Sequence, residues 1–195
     1  MSNAAYLIAN DVPGGAAVNV GWGGAVSLAD GPCAVPVFWL ALFDEKDVVG
    51  VAVETEDGDE LEIPSLVAEL AEARRRLRER RELLTERFPE FEPTWREFDA
   101  ALQGLAARFV KIDVNELWDL AAAVDEDFED ELRAALRWFE GRDEADFEKL
   151  LSIASIQGYD PAQKTFQAVD AEVPRAFHLR GYSSRPGWWS DEADV

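Results

Sequence analysis

The hydrophobic residues of this chain change their spacing near residue 64, and this change constrains the fold more than any other feature of the sequence. Before it, short apolar runs such as residues 6–9 alternate with segments rich in glycine and proline. Residues 48–55 and 60–63 flank Asp57-Gly58, a pair that favours a tight β-turn. Residues 1–63 are therefore predicted to be rich in β-strands, with a hairpin centred on Asp57-Gly58.

After residue 64 the apolar residues recur at intervals of three, four or seven, which is the spacing of one helix face. The first stripe, from Leu66 to Phe88, predicts a helix that ends before Pro89. Thr94 and Glu97 have the spacing of a capping box and predict the start of a second helix. Further helices are predicted at residues 113–124, 128–141 and 147–158, and a short one after Asp160-Pro161.

Two later segments, residues 109–112 and 176–182, are predicted to be strands. The apolar run at residues 35–43 fits either a buried strand or a short buried helix. We expect an α+β fold with a small, mostly antiparallel sheet, formed by the N-terminal strands and the two later ones and covered by about five helices. Residues 1–182 are expected to form one domain, and residues 183–195 an extended acidic tail with Trp188 and Trp189.

The net charge of the chain limits the classes of partner that it is expected to bind. Its 195 residues contain 40 Asp and Glu residues against 19 Lys and Arg residues, which gives a net charge of −21. Affinity for nucleic acids and anionic lipids comes mainly from cationic side chains, so we expect no direct binding to either. A surface of this charge instead attracts basic proteins, and rows of carboxylates also resemble the phosphates of a nucleic acid.

An arginine-rich segment interrupts the acidic sequence. Six arginines lie within the eight positions 74–81, interleaved with glutamates, and pairs such as Glu72 with Arg76 and Arg78 with Glu82 are four residues apart. This pattern is typical of a solvated helix face held by ion pairs. A face that docks on the protein's own acidic regions, or on those of a partner, is the alternative that the sequence leaves open.

Few residues offer catalytic chemistry. His178, the only histidine, lies in a predicted strand on the side that faces solvent, and Cys33, the only cysteine, is expected to be a buried or half-buried, unreactive thiol. These two residues do not indicate a nucleophile with its base, nor a zinc site, and no cofactor is predicted. A hydrolase that uses paired carboxylates or a carboxylate-bound metal is the catalytic alternative.

The sequence carries no signal for secretion or for a membrane. The N-terminus has no basic residue ahead of an apolar stretch, and the longest apolar run, residues 34–43, is too short to span a bilayer. A lone cysteine forms no internal disulfide. We therefore expect a reduced, cytoplasmic protein without membrane association.

Two short motifs suggest a family. The opening Asn3-Ala4-Ala5-Tyr6-Leu7 and the later Val37-Phe38-Trp39-Leu40-Ala41-Leu42-Phe43 resemble a group of small, acidic, uncharacterised bacterial proteins that begin with an Asn-x-x-Tyr-Leu strand. The motifs cover the first quarter of the chain, and the resemblance implies no activity and no catalytic residue. In size, acidity and lack of catalytic motifs, the chain is also similar to immunity proteins of bacterial toxin systems, in type rather than in sequence.

These observations favour a non-catalytic protein that recognises a basic protein partner, with an immunity role in a bacterial toxin system as its most concrete form. A nucleic-acid mimic that inhibits a DNA- or RNA-binding protein is the main alternative. The contact region is expected at the acidic start of the 128–141 helix and at aromatic residues suited to an interface. Its expected residues are Asp125, Asp127, Glu129, Asp130, Trp138 (at the border of the buried helix face), Trp188 and Trp189.

Overall fold

The computed structural model describes residues 3–15, 26–54, 58, 60–122, 127–167 and 174–182 of the chain. It confirms the α+β class, with an antiparallel sheet of five strands in the order β2-β1-β5-β4-β3 and a separate small hairpin, β6-β7. The strands are β1 (Ala4–Asn10), β2 (Val26–Pro32), β3 (Val48–Glu54), β4 (Glu60–Glu69), β5 (Phe109–Asp113), β6 (Gln157–Asp160) and β7 (Thr165–Gln167).

The predicted hairpin and the predicted strands near residues 6–9 and 109–112 are confirmed. In the hairpin, β3 pairs with β4 from Val48 opposite Leu66 to Glu54 opposite Glu60. β5 lies between β1 and β4 and pairs with both, which joins the two ends of the sheet. β2 was not predicted, because its Asp30-Gly31-Pro32 ending is typical of a turn.

Eight α-helices lie in the described ranges, of which the first and last are single turns of four residues. The longer ones account for the five main predicted helices, the first of which divides at Arg80 into two segments. The helices are α1 (Val37–Leu40), α2 (Leu70–Glu79), α3 (Arg81–Arg87), α4 (Glu92–Gln103), α5 (Asn115–Ala122), α6 (Phe128–Gly141), α7 (Glu144–Ile153) and α8 (Phe177–Arg180).

The open question at residues 35–43 is settled in favour of a helix. All four residues of α1 are buried, and the carbonyl of Pro36 accepts hydrogen bonds from Trp39 N and Leu40 N. The Trp39 indole Nε1 donates to the carbonyl of Arg180 at 2.7 Å, which fixes α8 against α1. This short helix therefore lies in the hydrophobic core.

The prediction of a strand at residues 176–182 is wrong. Phe177 N donates to the carbonyl of Pro174, which starts the single turn of α8, and Gly181 ends it at a φ of +79°. Tyr182 alone forms a bridge to the sheet, opposite Asp30. Because a helical turn replaces the strand, the side chain of His178 is buried rather than solvent-facing.

The predicted start of the first helix is also wrong. β4 continues to Glu69, and Leu66 lies in the sheet opposite Ile112 of β5 rather than on a helix. Leu66 and Ala68 are two residues apart and both face the core, so the strand spacing is satisfied as well as the helical one. The helix begins only at Leu70.

Other helix boundaries, and the short helix predicted after Asp160-Pro161, also differ from the prediction. α4 begins at Glu92, so Thr94 lies inside the helix and does not cap it. α7 ends at Ile153, before the predicted end near Gly158. Asp160-Pro161 forms the turn of the β6-β7 hairpin instead of opening a helix, and the Asp160 carboxylate accepts hydrogen bonds from Ala162 N and Gln163 N.

Two arginines of the arginine-rich segment are buried and hold the chain that follows α1. Arg80 Nη1 donates to the carbonyls of Ala41 at 3.0 Å and Phe43 at 2.6 Å, and Arg76 Nη1 donates to the carbonyl of Leu42 at 3.2 Å. Asp44 pairs with both guanidinium groups, and Asp47 pairs with Arg76. We call this group, Arg76, Arg80, Asp44, Asp47 and the three carbonyls, the arginine clamp.

Other arginines of the segment lie at the surface in ion pairs, as expected for a solvated helix face. Arg76 and Arg80 instead dock on the acidic residues Asp44 and Asp47, so each of the two expected arrangements is found for some of the arginines. Arg75 pairs with Glu72 and Glu79 on the exposed face of α2, and its guanidinium lowers the pKa of Glu72 to about 2. The predicted pair of Glu72 with Arg76 is present at 3.4 Å. Arg78 pairs with Asp99 of α4.

Among the described residues, no helix is both long enough and apolar enough to cross a membrane.

The arginine clamp gives a prediction about stability. Arg80→Met keeps an apolar side chain but leaves Asp44 and the carbonyls of Ala41 and Phe43 without these hydrogen bonds, so we expect a loss of about 3–5 kcal/mol in the free energy of unfolding. The control Arg75→Met removes an arginine whose ion pairs are exposed, and it is expected to change the free energy of unfolding far less than Arg80→Met does. Urea denaturation of both variants measures the difference, and equal losses would contradict a structural role for the clamp.

Candidate functional site

The predicted contact region centres on the start of α6. The Asp127 carboxylate accepts a hydrogen bond from Asp130 N at 3.1 Å and caps the helix, where the helix dipole favours negative charge. Asp127 and Asp130 are exposed, whereas Glu129 is half-buried and pairs with Arg133 at 2.6 Å. Asp127 and Asp130 therefore both present their carboxylates to solvent at one end of the helix.

Trp138 does not belong to this surface. It is fully buried, with its ring centroid 4.8 Å from that of Phe147 on α7 and 5.0 Å from that of Phe139. The expected position at the border of the buried face is wrong because α7 covers that side of α6. Asp125, Trp188 and Trp189 lie outside the described residues.

A groove lies beside the acidic start of α6. Its volume is about 280 Å³, and it is bounded by α5, the start of α6 and the end of α7. Leu120 is 48% exposed, a large fraction for a leucine on an amphipathic helix. We call this feature the α5–α6–α7 groove. The residues that line it include Cys33, Leu117, Leu120, Ala121, Phe128 and Ile153.

Several carboxylates lie on the two helices, α5 and α6, that contribute to this groove. Asp119 precedes Leu120 on α5, Asp127 and Asp130 lie on either side of Phe128 in the sequence, and all three are exposed. Partial burial and the charge of Glu116 raise the pKa of Asp119. Glu131 lines the groove and pairs with Lys149 at 2.6 Å. Glu131 is therefore the carboxylate that lines the groove, whereas Asp119, Asp127 and Asp130 belong to the exposed acidic surface of α5 and of the start of α6.

Most lysine and arginine residues of the chain are held in internal ion pairs. This leaves many exposed carboxylates without an ion pair in the described ranges. Those on helices include Glu82, Glu86, Glu97, Asp119, Asp130, Glu140 and Glu148. The paired cations are Lys46, Arg75, Arg76, Arg78, Arg80, Arg81, Arg87, Arg96, Arg108, Arg133, Arg137, Lys149 and Arg175.

A second polar region lies on the sheet face opposite the helical core. Asp30, Tyr6, Asp113 and Ser65 stand in one row across four neighbouring strands. The Tyr6 hydroxyl donates to Glu116 Oε1 at 2.9 Å, and burial together with Glu116 raises the pKa of Tyr6 to about 12. Tyr6 therefore stays protonated at neutral pH. Its hydrogen bond anchors α5 to β1.

Lys111 lies one row further along the same face, between Ile8 and Val67. It is only 2% exposed, and its ammonium group has no hydrogen bond or ion pair to another described residue. Burial lowers the pKa of its ammonium group because the charged form loses its hydration. Nothing in the sequence around residue 111 distinguishes this lysine from one at the surface.

A wider cavity, of about 710 Å³, lies between α7 and β6 and is lined in part by Glu144, Glu148, Phe147 and Tyr159. Several of its polar groups already make intramolecular contacts. Glu144 forms an ion pair with Arg87, and the Tyr159 hydroxyl donates to the carbonyl of Arg87 at 2.8 Å. These contacts join α3, α7 and β6, which gives the polar lining a structural role.

The two residues considered for nucleophilic catalysis have different surroundings. Cys33 is exposed, contrary to the prediction, because it lies in a turn at a φ of +51°. His178 is buried, and its Nδ1 lies 3.0 Å from the carbonyl of Ala154. No hydrogen bond joins these two side chains. Among the described residues, no group of three or more His, Cys, Asp or Glu side chains is placed to hold a metal ion.

Part of this region was predicted from the sequence. The acidic start of α6 was expected to be a contact region, whereas Leu117, Leu120 and Ala121 were expected only on the apolar face of a helix. Apolar residues three and four positions apart are found equally on faces that cover a core and on faces that line a groove. The exposure of Leu120 is therefore visible only in the folded structure.

Comparisons with protein-family models, with curated proteins and with solved structures found no match to this chain.

The burial of Lys111 predicts a pH-dependent effect on stability. Because its pKa is lowered in the folded protein, the unfolded chain binds this proton more tightly, so the charged lysine opposes folding below the folded pKa. This penalty decreases as the pH rises towards the ordinary pKa of lysine. Lys111→Met should therefore raise the free energy of unfolding, by an amount on the order of 1 kcal/mol at neutral pH, with a smaller gain near pH 10.

The exposed residue Lys149 provides the control, since Lys149→Met should show no such gain. Urea denaturation from about pH 6 to about pH 10 measures both variants. A Lys111→Met protein that is less stable than the wild type at every pH would show that the lysine makes a favourable contact in the folded state.

Proposed function

We propose that this protein is a non-catalytic binding protein that recognises a basic protein partner through its acidic surface. The observation that carries the proposal is the distribution of charge. Most of the cations are held in the arginine clamp and in other intramolecular ion pairs, whereas many carboxylates face solvent without an ion pair in the described ranges. Such a surface accelerates encounters with positively charged proteins.

The region around the α5–α6–α7 groove suits this role better than the other acidic surfaces. Exposed charges steer association, but they contribute little to the lifetime of a complex unless apolar groups are buried with them. Leu120, which is 48% exposed on α5, provides such a group. Asp127 and Asp130 add negative charge at the start of α6.

An immunity role in a bacterial toxin system is the specific form that we propose, since a basic toxin is the kind of partner that this charge would attract. The lone cysteine, which forms no internal disulfide, supports a reducing compartment such as the cytoplasm as the place of binding.

Affinity purification with the tagged protein tests the proposal. A nuclease-treated lysate of the native cell is applied, and the bound proteins are washed at low and at high salt and identified by mass spectrometry. We expect one basic protein that is retained at high salt. Retention of DNA- or RNA-binding proteins that high salt removes would favour nucleic-acid mimicry, and the absence of any bound protein at low salt would contradict the proposal.

A set of charge variants then tests the site. Asp119→Asn, Asp127→Asn and Asp130→Asn, combined in one protein, remove three exposed charges from α5 and the start of α6, and asparagine at position 127 still caps α6. We expect association with the captured partner to slow by about five- to tenfold. The control combines Glu82→Gln, Glu86→Gln and Glu97→Gln, which remove three exposed charges from α3 and α4, and should slow association by less than about twofold. Equal effects of the two sets would show that net charge, rather than this surface, directs binding.

A further inference from the structure

The strand β3 forms an open edge of the five-stranded sheet. It is the last strand in the sheet order, and all seven of its residues pair with β4 without a register shift. Within the described ranges, residues 49–54 form no backbone hydrogen bond on the side away from β4. We call this outer side of residues 49–54 the β3 edge. Its free backbone N–H and C=O groups are a template for one more strand.

The opposite edge of the sheet, β2, is closed in several ways. Its pairing with β1 contains a register shift between Leu7 and Ile8, and the strand ends in Pro32. Asp30 also exchanges two backbone hydrogen bonds of 2.7 Å with Tyr182. Bulges, prolines and covered backbone are the usual means by which proteins prevent an edge from pairing with another chain. β3 contains no proline and no bulge, so it is the edge that accepts a strand.

One face of the hairpin beside the β3 edge is apolar. Val49, Val51 and Val53 alternate along β3 on this face, and Leu61 of β4, which is 43% exposed, lies opposite Val53. Trp118 of α5 packs against the same apolar cluster. α5 also borders the α5–α6–α7 groove, so the β3 edge and the groove adjoin the same helix.

The other face of the hairpin is acidic. Glu54 lies directly opposite Glu60, and Glu62 follows two residues later on the same face of β4. All three are exposed and have no ion pair to a described residue. A Cβ atom at Gly50 would collide with the Glu62 carboxylate, so this carboxylate lies over the backbone of the edge strand. Like charges opposite each other destabilise a sheet, and cations on an added strand would relieve this repulsion.

We infer that the β3 edge binds an extended segment of the basic partner protein as a sixth strand, in which basic and apolar side chains alternate. Its lysines or arginines face Glu54, Glu60 and Glu62, and its apolar side chains continue the valine face. A second copy of this chain fits less well, because each copy has a net charge of −21 and the same three glutamates. The inference rests on the proposed function for the charge of the partner, and it specifies the segment that is bound.

The experiment uses two synthetic peptides of equal charge. The first has seven residues, the length of β3, in which valine and lysine alternate. The second has the same side chains, but every backbone amide is N-methylated and donates no hydrogen bond. We expect the second peptide to bind at least about tenfold more weakly, since strand addition depends on backbone hydrogen bonds. Fluorescence anisotropy of labelled peptides measures both affinities.

Hydrogen–deuterium exchange with mass spectrometry locates the bound peptide. The backbone amides of residues 49–54 that point away from β4 are free of hydrogen bonds and should exchange fast. At a saturating concentration of the first peptide, we expect their exchange to slow by about tenfold. Exchange at residues 128–141, the helix α6 beside the α5–α6–α7 groove, should be unchanged.

Charge variants test the acidic face. Glu54→Gln, Glu60→Gln and Glu62→Gln, combined in one protein, should weaken binding of the first peptide by about fivefold or more. These changes remove a repulsion between opposite strands, so weaker binding does not report a loss of folding. The control combines Glu82→Gln, Glu86→Gln and Glu97→Gln on α3 and α4, and it should weaken binding by less than about twofold.

The contrary outcomes are distinguishable from failure of the proposed function. Equal binding of the two peptides would show that the acidic surface attracts cations without strand addition, which overturns the inference and leaves the proposed function intact. Absence of binding by either peptide, or protection of a segment other than residues 49–54, would also overturn it, and the lysate experiment would still decide the proposed function. Slow exchange at residues 49–54 of the free protein that accelerates on dilution would show that a second copy occupies the edge instead.

Discussion

The arginine clamp is the interaction on which the rest of the structure depends. After α1, the backbone turns within the protein interior, and the carbonyls of residues 41–43 accept hydrogen bonds from two buried guanidinium groups of α2 and its C-terminal end. Buried carbonyls without partners are costly, and buried guanidinium groups are costlier still unless carboxylates neutralise them. Asp44 and Asp47 do so. The clamp thereby fixes the C-terminal part of α2 to the segment that follows α1.

The excess of acids over cations explains the charge of the surface. Each intramolecular ion pair uses a carboxylate as well as a cation, and because the sequence has about half as many cations as acids, the excess carboxylates remain unpaired. The acidic surface therefore follows from the composition, and the fold decides which carboxylates are left without a cation. The α5–α6–α7 groove, with its exposed Leu120, lies between helices that carry several of these carboxylates.

Sequence patterns predicted the elements whose spacing has a single interpretation. The β3-β4 hairpin, β5 and α6 follow from alternation, from turn residues and from helical spacing. Leu66 was assigned to a helix because the spacing of its apolar neighbours fits a helix as well as a strand. Only its pairing with Ile112 decides in favour of the strand. Trp138 was expected at the contact surface but is buried, and Leu120 lies on the apolar face of α5 but is exposed. Burial of such residues depends on which helix packs against each face. The sequence does not distinguish the buried Arg76 and Arg80 from the exposed Arg75, because the carboxylates that pair with the buried arginines lie about thirty to forty residues away in the sequence.

The central claim is that folding uses the cations internally and leaves mutually repelling carboxylates outside. The free energy of unfolding at increasing NaCl concentration tests it most directly. Salt screens exposed charges strongly and buried pairs weakly, so relief of the surface repulsion should make the protein more stable between about 0.02 M and about 0.5 M NaCl. A fall in stability over that range would contradict the account, because it would mean that exposed ion pairs contribute more than the repulsion among the carboxylates.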